Sequence, residues 1–191
     1  MNEQLTLGFA MCGSFCTFDA VLTQLEAMRA EFPKIIPIMS TISYETDTRF
    51  GTAEDFRARL EAACGQPVIH TIAQAEPIGP KKLLDVLVIA PCTGNTLAKL
   101  ANGIADTPVT LAAKAHLRNE RPVVLAVSTN DALAGNAANI GVLLNRKHYY
   151  FVPFRQDSPQ KKPRSMVADF SKLTDTVCHA LQGEQIQPIL L

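Results

Sequence analysis

Residues 83–90 (Leu-Leu-Asp-Val-Leu-Val-Ile-Ala) constrain the fold of this chain most, because a single acid interrupts an otherwise apolar run. A strand with one face in water alternates polar and apolar side chains, whereas an unbroken run of this kind fits a parallel strand covered on both faces. Helices must do the covering, and the flanking sequence alternates short apolar runs with helical periodicities in the manner of βαβ units. The reading is α/β: a three-layer, Rossmann-like or flavodoxin-like parallel sheet with helices on both faces.

The other elements follow from the same periodicities. Residues 5–11 form the first expected strand. From Thr17, the apolar positions Ala20, Val21, Leu25, Met28 and Phe32 recur at helical spacing until Pro33 stops them. Residues 34–39 read as a second strand, and Pro37, with no N–H to donate, assigns it to an edge or end of the sheet. After a polar loop, residues 52–64 read as an amphipathic helix with Thr52 as N-cap and Gly65 closing it. A short strand is expected over 67–72, a helix over 95–102, and another helix starting at Thr107-Pro108, where threonine caps and proline takes the first helical position. Residues 122–127 make a further buried strand. A helix over 130–144, a last strand over 148–152, a loop over 153–164 rich in proline and lysine, and a closing helix over 165–181 complete the expectation.

The chain has 191 residues, 47% of them hydrophobic, which suits one well-buried core and a single domain over 1–191. Lysine plus arginine and aspartate plus glutamate each number 18. That balance steers toward neither nucleic acid nor an anionic membrane and leaves a small molecule or a protein as partner. The cysteines (Cys12, Cys16, Cys64, Cys92, Cys178) are odd in number and form no C-x-x-C pair, so no metal site is expected. Met1-Asn2-Glu3-Gln4 lacks a basic leader and no apolar stretch approaches bilayer length. With free thiols, these features imply a cytoplasmic protein.

In an open parallel sheet, ligands bind at the carboxyl ends of the strands. After the first strand, Cys12, Gly13, Ser14 and Phe15 supply a tight turn and a hydroxyl at a helix start, an anion-binding arrangement. It is neither G-x-G-x-x-G nor a P-loop, so an NAD fingerprint is absent. After the second strand come Ser40, Thr41, Ile42 and Ser43, hydroxyls that suit a phosphate monoester better than an adenosine ribose. The third loop places Pro91 at the end of the buried strand, then Thr93, Gly94, Asn95 and Thr96, small residues that let a planar ligand approach the backbone. The fourth contains Ser128, Thr129, Asn130 and Asp131. Gly13, Ser14, Ser40, Thr93 and Thr96 are the expected phosphate neighbours. Asp131 either begins a helix or accepts a proton, Cys92 either packs or touches the ligand, and His70 reads as structural.

The stretch from Pro91 to Thr107 resembles the flavin loop of the FMN-containing cysteine decarboxylases and, more closely, that of the flavin prenyltransferases. The decarboxylases' Pro-x-Met-Asn substrate clamp is replaced by Asp131-Ala132-Leu133-Ala134-Gly135-Asn136, and Val127-Ser128-Thr129-Asn130 stands where prenyltransferases usually show an arginine-glutamate motif. Thr46-Asp47-Thr48-Arg49-Phe50-Gly51, Ala75-Glu76-Pro77-Ile78-Gly79-Pro80-Lys81 and Tyr150-Phe151-Val152-Pro153-Phe154-Arg155-Gln156-Asp157 resemble the dipicolinate synthase B subunits, over essentially the whole chain. This resemblance implies an oxidoreductase subunit that makes pyridine-2,6-dicarboxylate from a dihydrodipicolinate-type precursor in the mother cell of a sporulating bacterium. It also implies an FMN pocket, a homo-oligomer, and an A subunit through which NAD(P) is supplied. Flavin prenyl transfer and a non-catalytic partner role are the alternatives. A dicarboxylate substrate asks for cations, and Arg49 and Arg155 are the candidates, with Lys161, Lys162 and Arg164 behind them as solvated surface charges. The loop over 153–164 is expected to order on docking.

Overall fold

In the computed structural model, residues 5–191 are described; Met1 to Gln4, read above as lacking a leader, lie outside them. The chain runs through β1 (Thr6–Met11), a short 3-10 turn (Phe15–Thr17), α1 (Phe18–Met28), β2 (Lys34–Met39), α2 (Thr41–Glu45), α3 (Ala53–Cys64), α4 (Ile72–Ala75), β3 (Val86–Cys92), α5 (Gly94–Ala101) and α6 (Pro108–Leu117). It continues with β4 (Val123–Thr129), α7 (Ala137–Leu144), β5 (Tyr149–Phe151), β6 (Phe154–Ser158), β7 (Lys162–Ala168) and α8 (Leu173–Leu181).

The parallel strands lie in the order β2-β1-β3-β4-β5. This is the flavodoxin-like order, whose direction of winding reverses between β1 and β3. Helices α1, α3 and α8 cover one face and α4 to α7 the other. The expected buried run is the central strand β3, with every residue from Val86 to Cys92 buried. Its one acid, Asp85, stands just before the strand. Its carboxylate accepts from the Thr6 N–H (2.8 Å) and pairs with Arg121 (3.2 Å), closing the bottom edge of the sheet. Among the described residues, no helix is long and apolar enough to cross a membrane.

The prolines of β2 and β3 obey the ladder. Pro37 sits in the outer strand β2, and its carbonyl accepts from Ile69 N–H on the side away from β1, so its missing donor faces outward too. Pro91 falls where the β3–β4 register shifts, between Ile89 and Cys92. Capping follows the sequence closely: Thr52 accepts from Asp55 N–H, Gly65 ends α3 in the left-handed region at φ 70°, and Thr107 forms a capping box with Thr110 ahead of Pro108.

Four expectations need correction. Residues 67–72 make only one bridge, Ile38 to Ile69, before α4 starts, because the Thr71 side chain caps that helix. The loop after β2 is the short helix α2, capped by Ser40. The helix expected from 130 begins only at Ala137, since Asp131 accepts hydrogen bonds from Thr129 and Asn136 side chains instead of capping. The stretch over 153–164 is no loop awaiting a partner. It belongs to the antiparallel hairpin β6–β7, which joins the sheet when Ser128 and Thr129 at the tip of β4 pair with Val167 and Met166. The outer edge of β4 is thus shared, its first half by β5 and its tip by β7, and the closing helix is shortened to α8.

Candidate functional site

At the reversal point β1 and β3 stay paired to their ends, Cys12 N–H donating to Pro91 O (3.3 Å), and the chain leaves them in opposite directions, which opens a crevice above their carboxyl ends. After β1 the chain turns tightly: Ser14 N–H donates to Cys12 O (2.7 Å), and the Thr17 N–H and hydroxyl both donate to Ser14 O (3.0 and 2.8 Å). Ser14 precedes the 3-10 turn, yet its hydroxyl caps nothing. It meets the Ser128 hydroxyl at the tip of β4, 2.8 Å away. After β3, Thr93 caps α5 by accepting from Thr96 N–H.

These tips floor a cleft of about 800 Å³. Of the residues expected at a ligand, Gly13, Ser14, Phe15 and Thr93 line it from the first and third loops, and Ser128, Thr129 and Asn130 from the fourth. Arg49 lines it too, from a tight turn in which Thr48 and Gly51 exchange backbone hydrogen bonds (3.0 and 3.2 Å); its guanidinium lies 4.9 Å from the Phe50 ring centre.

The structure puts the remaining expected residues elsewhere. The Ser40 hydroxyl is buried, accepting from Ser43 N–H and bonded to the Ser43 hydroxyl (2.9 Å); Thr41 is exposed on α2. Thr96 is buried and donates to Cys12 Sγ (3.2 Å), Pro91 is buried, and Asn95 is exposed on α5. Arg155 lines a separate, mostly apolar groove of about 460 Å³ with Leu133, Leu144 and Leu190. Only Met166 is shared by the two hollows. His70 stacks on Tyr44 (3.8 Å between centroids) and is absent from the cleft's lining.

The hairpin supplies the wall that the sequence reading missed: Asp157, Lys162, Ser165, Met166 and Val167. Lys162 donates to Asp157 (2.8 Å), and that hydrogen bond holds its ammonium pKa above the ordinary value. Cys16, Thr17 and Phe50 complete the rim. The one signal in the sequence is the short apolar run Met166-Val167-Ala168 beyond the charged stretch, which reads as helix and strand equally well.

Both strand-end thiols are buried, which disfavours their thiolate form. Burial pushes Cys12 up to about 11 and Cys92 well above its ordinary value, the neighbouring Cys12 adding to the latter. Among the described residues, the titratable side chains lining the cleft are Cys16, Arg49, Asp157 and Lys162. The carboxylate in this set is therefore already paired with a lysine, and the set contains no imidazole.

FMN fits this donor set. Cofactor clefts usually span roughly 300–1,000 Å³, and this one combines serine and threonine hydroxyls for a phosphate with Phe15, Phe50, Met166 and Val167 as apolar walls for a ring.

Comparison with known proteins agrees with this picture. Residues 7–181 match the family model described as Flavoprotein. The chain is 46% identical over 185 residues to the B subunit of dipicolinate synthase from Bacillus subtilis (strain 168), covering 97% of this chain and 92% of that one. The crystal structure of the B subunit of dipicolinate synthase from Bacillus halodurans C superposes with a TM-score of 0.91 at 43% identity, covering 100% and 98% of the two chains. The FMN-dependent cysteine decarboxylase SpaF superposes with a TM-score of 0.67 at 26% identity, covering 93% and 97%.

Proposed function

The chain belongs to the Flavoprotein family, and from that premise we propose that it is the B subunit of a dipicolinate synthase, an oxidoreductase that forms pyridine-2,6-dicarboxylate from a dihydrodipicolinate-type precursor during sporulation. The observation that carries the reading is the cleft itself. It sits at the strand-order reversal, its floor is hydroxylic, and Arg49 and Lys162 both line it. A ring bearing two carboxylates asks for two cationic contacts, and a guanidinium meets a carboxylate through two parallel hydrogen bonds.

In this proposal Ser14, Thr93 and Ser128 hold the cofactor phosphate, Phe15 and Phe50 shield the ring, and Arg49 orients a substrate carboxylate. FMN held there supplies a two-electron acceptor. Turning a dihydropyridine into a pyridine removes two electrons and two protons, so the site also needs a base. Asp157, the carboxylate of the cleft, is engaged by Lys162, which supports completion of the site by a neighbouring protomer. The absence of a dinucleotide fingerprint after β1 likewise supports supply of NAD(P) through an A subunit. Leu133, Leu144 and Leu190, exposed along the apolar groove, offer a surface for self-association into a homo-oligomer.

The test mixes the purified chain and its A subunit with precursor and nicotinamide cofactor and follows dipicolinate absorbance. Product is expected only from the mixture, and replacing Arg49 by lysine should lower the rate about tenfold or more, the loss of one charge-assisted hydrogen bond. Equal rates from this chain alone, or an unimpaired Arg49→Lys variant, contradict the assignment.

A further inference from the structure

Thr129, like Thr17, has its hydroxyl proton committed, but to a carboxylate and not to a backbone carbonyl. Its Oγ1 donates to Asp131 Oδ1. The other carboxylate oxygen, Oδ2, accepts from Asn136 Nδ2 at 2.7 Å, and Asn136 Oδ1 accepts in turn from Asn139 Nδ2 at 2.9 Å. The direction of this chain is fixed at one end, because a carboxylate only accepts. Asn136, buried, must therefore aim its amide N–H at Asp131, and Thr129 must aim its proton there too. The assembly is packed against the start of α5: a Cβ on Gly94 would lie 2.4 Å from Asn136 Nδ2, 2.7 Å from Thr129 Oγ1 and 2.8 Å from Asp131 Oδ1. Nothing larger than glycine leaves the network this arrangement.

A hydroxyl whose proton is committed offers only its lone pairs to whatever enters the cleft. In the Ser14–Ser128 pair one hydroxyl donates to the other, and the proton of the accepting one stays available for an anion. The floor of the cleft therefore has a donor side at Ser14 and Ser128 and an acceptor side at Thr129.

We infer that Thr129 is a specificity-determining acceptor for a ring N–H of the bound ligand, and that Asp131 is the positioning residue that keeps it an acceptor. This rests on the FMN reading above, in which the matching donor is the imide N–H of the flavin ring. Phosphate goes to the donor side and the imide to Thr129. Replacing Asp131 by asparagine removes the carboxylate that fixed this direction: its amide N–H can face Thr129 and turn the threonine proton into the cleft.

Flavin fluorescence titration with FMN and with 3-methyl-FMN, which lacks the imide N–H, tests this on the purified full chain. The native protein is expected to prefer FMN by about tenfold, one buried hydrogen bond. The preference should persist in Thr129→Ser and fall to about one in Thr129→Val and Asp131→Asn. Should Asp131→Asn fail to fold, the Thr129→Ser and Thr129→Val pair decides alone. Equal affinity of the native protein for both flavins, or a preference that survives Thr129→Val, overturns the inference while leaving FMN binding intact. Failure of the native protein to bind either flavin overturns the FMN reading and the inference with it.

Discussion

Ser14 and Ser40 occupy equivalent places, each beyond the carboxyl end of a parallel strand and immediately before a helical turn, yet they do different things. Ser40 finds a backbone N–H three residues on, at Ser43, and its hydroxyl is committed to capping α2 and buried. Ser14 starts a 3-10 turn to which its side chain contributes no cap, and its hydroxyl crosses to Ser128 on the floor of the cleft. Thr93 and Thr96 show that capping alone does not decide it: Thr93 caps α5 and still lines the cleft, whereas Thr96, which caps nothing, is buried on Cys12. A hydroxyl-rich loop at a strand end thus does not by itself line the cleft. What matters is whether the side chain ends buried against a neighbour, as at Ser40 and Thr96, or at the cleft, as at Ser14 and Thr93.

The strongest way to break this contrast is at Gly94, where a methyl group would meet Thr129, Asp131 and Asn136 at once. Gly94→Ala should destabilise the protein by about 2 kcal/mol, typical of forcing atoms into a packed site, and weaken flavin binding. Chemical denaturation and flavin titration check both. A variant as stable as the native protein would show that the network yields freely.

The next two substitutions sharpen the comparison by separating stability from binding. Ser40→Ala should cost about 1 kcal/mol, the usual loss of a side-chain cap, and leave flavin affinity unchanged. Ser14→Ala should alter stability by no more than about 0.5 kcal/mol while weakening flavin affinity about fivefold. If the two effects were exchanged, the division between committed and available hydroxyls would be wrong.

That division also explains how much the sequence discloses. The central strand, the edge position forced by Pro37, the Thr52 and Thr107 caps and three of the four ligand loops are local matters, decided by periodicity or by a residue and its neighbours three positions away. The hairpin β6–β7 is not local. Only Phe154 of β6 is buried, its remaining residues are polar, and its partner strand joins the sheet through two residues of β4. Prolines and lysines there resemble a solvated loop because the hairpin exposes much of both strands, yet its tip carries Lys162 and Asp157 into the cleft. Asp131 misleads in another way. In sequence it looks like a helix cap, and only the tertiary approach of Gly94 and Asn136 shows that it holds Thr129.

The most direct test of the account is a crystal structure of the protein loaded with FMN. The account predicts the flavin in the cleft above β1 and β3, its phosphate within hydrogen-bonding distance of Ser14, Thr93 or Ser128, and the ring edge reaching Thr129. Flavin density in the apolar groove beside Arg155, or a phosphate bound at Ser40 instead, would contradict it.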